Sequence, residues 1–65
     1  MTNAGGSDKA KFPGHSNTTL KDALEDAAKN AVDGGKQDTW FKVDEIHVLP
    51  KNPRVGEYRV TIVEL

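Results

Sequence analysis

Large apolar side chains are nearly missing from the first quarter of this chain. From Met1 to Asn17 the only one after Met1 is Phe12, set among Gly, Ser, Asn and Lys. Such a segment cannot bury enough apolar surface to offset the entropy of ordering it. Residues 1–17 therefore read as a flexible N-terminal tail. What remains to fold, residues 18–65, amounts to about 48 residues, a size at which a lone core seldom suffices. The usual remedies are disulfides or a structural metal, and the sequence has neither cysteine nor a Cys/His cluster. Association is the remaining way to complete a core, so a homo-oligomer is expected.

Charge narrows the choice of partner. Nine basic and ten acidic residues are interspersed and give a net charge of −1. Lys and Arg form no run, which argues against nucleic acid as a partner. No apolar stretch approaches the roughly 20 residues needed to span a bilayer. The start, Met1-Thr2-Asn3-Ala4-Gly5-Gly6, lacks the apolar segment of a secretory signal. The expected setting is the cytoplasm, away from membranes.

Order begins near Thr19. Thr19-Leu20-Lys21-Asp22 has the form of a capping box, with Asp in place of the better Glu. Leu20, Ala23, Leu24, Ala27, Ala28, Ala31 and Val32 then recur at helical spacing, with Asp22, Glu25, Asp26, Lys29 and Asp33 on the opposite arc. Glu25 and Lys29 stand at the supportive i, i+4 spacing. Gly34-Gly35 ends the helix. A stripe made mostly of alanine lets a helix lie close to its support but buries little area, so the support must carry the bulk.

Two strand-like runs supply that support, Trp40–Leu49 and Glu57–Leu65, both rich in β-branched and aromatic residues. Pro50 to Gly56 reads as the irregular connection of a β-hairpin. Strict alternation puts Phe41, Val43 and Leu49 on one face and Trp40, Ile46 and Val48 on the other. One helix covers only one face, so the second must meet another copy or a ligand. Ahead of the helix, Lys9-Ala10-Lys11-Phe12 is a weak strand signal that Pro13-Gly14 breaks.

No catalytic arrangement is readable. His15 and His47 are separated by the whole helix and lack the further ligands a metal requires. Asp44 and Glu45 are neighbours on a strand and by alternation point to opposite faces, unlike an acid–base pair. Ser7, Ser16 and the threonines have no readable triad partners. Gly34-Gly35 follows a helix, whereas a phosphate loop precedes one. The residues point to a non-enzyme.

Thr19-Leu20-Lys21-Asp22-Ala23-Leu24, Trp40-Phe41-Lys42-Val43 and Tyr58-Arg59-Val60-Thr61-Ile62 follow one another in an order and spacing that resemble the dodecin family over residues 18–65. The resemblance implies an α+β fold in which one helix packs on an antiparallel β-hairpin or sheet. The first family strand, here Lys9 to Gly14, is read as weak or missing. It further implies a non-catalytic homo-oligomer that binds flavin (FMN, riboflavin or FAD). Trp40 would stack on the isoalloxazine ring. Arg59 would make the polar contact at the ring edge, where the family typically carries a glutamine. Arginine has donors only, whereas a glutamine amide also accepts. From residue type alone, Trp40 reads as a half-buried anchor of the helix-to-strand turn, and Arg59 as a cross-strand partner of Glu45 or Asp44. The alternative function is a structural or protein-interaction module that keeps the fold without flavin.

Overall fold

The computed structural model describes residues 9–65. Residues 1–8, part of the expected tail, lie outside them. The described chain forms β1 (Lys11–Ser16), α1 (Leu20–Asp33), β2 (Phe41–Lys51) and β3 (Arg54–Glu64). The three strands make one antiparallel sheet in the order β1-β3-β2, with β3 in the middle. The helix packs on β1 and β3, which is the α+β arrangement expected. No described helix is long and apolar enough to cross a membrane.

The first strand is present, contrary to the expectation of a weak or missing one, and Lys11–Ser16 is sheet where a tail was expected. β1 pairs with β3 from Lys11↔Val63 to Ser16↔Tyr58. Pro13 is tolerated because β1 is an edge strand. Its carbonyl accepts from Asn30 Nδ2 at 2.7 Å on the helix side, away from β3. A strand residue directs its N and O to the same edge, so no ladder bond is lost to the missing N–H. Two residues on, the His15 N–H donates to Asp26 Oδ2 at 3.0 Å. The helix thus supplies side-chain partners for the outer edge of β1. Gly14 is required for another reason: a β-carbon there would collide with the Ala23 carbonyl and the Ala27 backbone. Strand and helix meet backbone to backbone.

The second correction concerns β2. Its register against β3 slips between Val43 and Glu45, leaving Asp44 as the extra residue of a β-bulge. The bulge resets the alternation. Val43 lies opposite Ile62, Ile46 opposite Val60 and Val48 opposite Tyr58, so the three share the helix-side face with Phe41, while Leu49 falls on the outer face. The hairpin turn is also tighter than expected. β2 runs through Pro50 to Lys51, and only Asn52 and Pro53, joined by a cis peptide bond, separate it from β3.

The helix begins as its capping motif predicts, with Thr19 Oγ1 accepting from the Asp22 N–H at 3.0 Å. The reciprocal bond is not made, because Asp22 Oδ2 takes the Thr18 hydroxyl at 2.8 Å. Lys21 rather than Lys29 pairs with Glu25, at 3.6 Å. At the far end the Gly34 N–H reaches the Asn30 and Ala31 carbonyls, and Gly35 makes the left-handed turn at φ +85°.

Ala23, Ala27 and Ala31 are buried against Val60 and Ile62, with Phe12, Leu20, Leu24, Phe41 and Tyr58 partly buried around them. The Phe12 and Phe41 rings meet edge to face at 5.8 Å. Val32, placed by periodicity on the contact stripe, is half-exposed. So are Val43, Ile46 and Val48, because the helix lies over β1 and β3 and leaves the helix-side face of β2 uncovered.

Candidate functional site

The face of the sheet turned away from the helix is polar, and its centre is Arg59. On β3, Arg59 lies opposite His15 of β1 and opposite His47 of β2, which sets three basic side chains in a row across all three strands. Separated by the helix in sequence, the two histidines are brought to either side of one residue by the pairing register. Each member of the row has an acidic partner. Arg59 Nε donates to Glu57 Oε2 at 3.1 Å, His47 Nε2 stands 3.2 Å from Glu45 Oε1, and His15 Nδ1 stands 3.7 Å from Asp26 Oδ2. These six side chains line a cavity of about 580 Å³.

Arg59 therefore does not pair with Glu45 or Asp44, as a simple cross-strand reading suggests. Its partner is Glu57, two residues away on the same strand and hence on the same face. Asp44 instead meets Lys11 Nζ at 3.4 Å. The bulge brings Asp44 to the face that holds Lys11, so Asp44 and Glu45 do not point to opposite faces. Each is matched with its own base. Among the described residues, no group of three or more His, Asp or Glu side chains is placed to hold a metal ion.

Trp40 stands at the other end of the sheet. It immediately precedes β2, and its carbonyl accepts from the Leu65 N–H at 3.1 Å. The side chain is 82% exposed, so it does not anchor the turn as a half-buried aromatic would. Arg59 lies six residues before Leu65 on the same strand run. At about 3.3 Å per residue the separation from Trp40 is on the order of 20 Å, longer than an isoalloxazine ring system. One chain does not bring its two candidate flavin contacts together.

Three residues of this region were not singled out as site candidates from the sequence. Glu57 could have been, since residues two apart on a strand share a face. Asp26 and Asn30 could not, because their partners His15 and Pro13 are remote and sit in a segment that carries a strand-breaking signal.

No curated protein and no solved structure matches the chain. The family model described as dodecin matches residues 9–63. That span begins before β1 and ends one residue short of the end of β3, so it takes in β1, α1 and β2 whole and all but the last residue of β3. The strand-helix-strand-strand order, the three-stranded antiparallel sheet beneath one helix and this match together establish that the chain belongs to the dodecin family, a family of non-catalytic flavin-binding proteins.

Proposed function

We propose that this protein is a flavin-binding homo-oligomer that sequesters its ligand without turning it over. The observation that carries the reading is Trp40, an indole 82% exposed in the single chain and therefore open to a second flat π-system. A bound flavin would supply the redox-active ring system; the residues here stack on it, meet its polar rim and exclude water. Trp40 provides the stacking surface and Arg59 the donors. Because the two are some 20 Å apart in one chain, a ligand that touches both needs Trp40 from one copy and Arg59 from another. Binding and association are thereby linked. Val43, Ile46 and Val48, half-exposed on the helix-side face of β2, supply apolar area for that association.

A second reading is a structural module that assembles but takes no flavin. What favours it is that Arg59 Nε is already bound to Glu57. Titrating riboflavin and FMN against wild type and Trp40→Ala, with flavin fluorescence as the signal, separates the two. Saturable quenching by wild type, lost in Trp40→Ala, is expected. Absence of quenching by the assembled wild-type protein would sink the flavin reading and leave the structural module.

A further inference from the structure

The outer face holds a pairing that bears on ring-edge recognition. The polar edge of a flavin is an imide: a carbonyl, a ring N–H and a second carbonyl. It asks for donors and one acceptor side by side. Arg59 is donor-only, so alone it leaves the ring N–H unpartnered, and a polar group buried without a partner weakens binding. The structure places an acceptor beside it. Glu57 Oε2 is 3.1 Å from Arg59 Nε. The Glu57 side chain is 28% exposed against 71% for Arg59, so the carboxylate sits lower and more confined while the guanidinium stands forward. The bond between them uses Nε, so the two terminal nitrogens keep their donors, and a carboxylate has lone pairs beyond the one Nε engages. Both residues line the same cavity.

Resting on the flavin reading above, we propose that Glu57 is a specificity-determining residue. Arg59 and Glu57 act as one donor–acceptor unit, with Arg59 donating to an imide carbonyl and Glu57 accepting the ring N–H. The ligand class is a planar heteroaromatic with an unsubstituted imide edge. The other titratable groups that line this cavity, His15 with Asp26 and His47 with Glu45, are matched among themselves and leave the pair available.

The test measures lumiflavin and 3-methyl-lumiflavin, in which the ring N–H is replaced, by fluorescence quenching. The proteins are wild type, Glu57→Ala and the double variant Glu57→Ala/Arg59→Gln, each checked for assembly by sedimentation. Wild type is expected to favour lumiflavin by at least about tenfold, the scale of one hydrogen bond to a charged group. Glu57→Ala should lose affinity for lumiflavin and with it the discrimination. The double variant should recover the discrimination, because a glutamine amide carries donor and acceptor together. A merely structural role for Glu57 would not give that rescue. Equal affinity of wild type for both flavins, or an unchanged preference in Glu57→Ala, would overturn the proposal while leaving Trp40 stacking intact. Failure of wild type to quench either flavin would overturn the flavin reading and this proposal together.

Discussion

Gly14 is the residue on which the packing of helix against sheet depends most closely. No β-carbon fits between the strand and the backbone of Ala23 and Ala27. Gly14→Ala is accordingly expected to destabilise the fold by about 2 kcal/mol or more, through overpacking, seen as a drop in the urea midpoint. Thr19→Ala removes a helix cap and should cost about 1 kcal/mol in the same experiment. Lys21→Ala, which breaks an exposed pair with Glu25, should change stability by less than about 0.5 kcal/mol. The cap was legible because it is local: Thr19 and Asp22 are neighbours in sequence and need no tertiary context. The need for glycine at position 14 was not legible, since the atoms that forbid a side chain belong to residues nine and thirteen positions away.

The elements show the same division. The helix and the hairpin strands follow from periodicity and composition, and they appear where the sequence puts them to within a few residues. β1 was read as weak or missing because Pro13 and Gly14 are strand breakers by propensity. Here both become strand residues through partners on the helix: Asn30 takes the Pro13 carbonyl, Asp26 takes the His15 N–H, and the alanine stripe accepts Gly14. The faces of β2 were misassigned because one unpaired residue, Asp44, inverts every alternation after it. Of the candidate site, Trp40 and Arg59 were readable as flavin contacts through the resemblance alone. By residue type Trp40 reads as a half-buried anchor and Arg59 as a cross-strand partner of Glu45 or Asp44, whereas the indole is exposed and Arg59 pairs with Glu57. Glu57, two residues from Arg59 on the same strand, was open to the alternation argument, whereas the placing of His15 and His47 on either side of Arg59 emerges only from the strand register. Asp26→Ala should free the outer edge of β1, and hydrogen exchange at the His15 amide is expected to quicken while the Val60 and Ile62 amides in the central strand keep their protection. Equal acceleration in both strands would mean that Asp26 supports the whole fold rather than the edge.

At the scale of the molecule, the core is built on three alanines, two branched side chains and a fringe of half-covered residues. It leaves Val43, Ile46 and Val48 uncovered on the helix side of β2. A charge placed there should oppose association more than it disturbs the single chain. Ile46→Lys is therefore expected to shift the sedimentation profile toward smaller species, with far-ultraviolet circular dichroism little changed. Retention of the wild-type oligomer would move the interface to another surface. The two margins of the sheet differ in a way that limits how copies can add. Along β1, Asp26 and Asn30 occupy two hydrogen-bonding groups that an incoming strand would need, whereas among the described residues no helix lies alongside β2. In the language of polymer chemistry the two margins differ in functionality: strand-to-strand addition is expected to be easier through β2 than through β1, where two of the linking groups are already capped. Growth into an open-ended ribbon is opposed by the same two side chains that make a proline-containing strand possible.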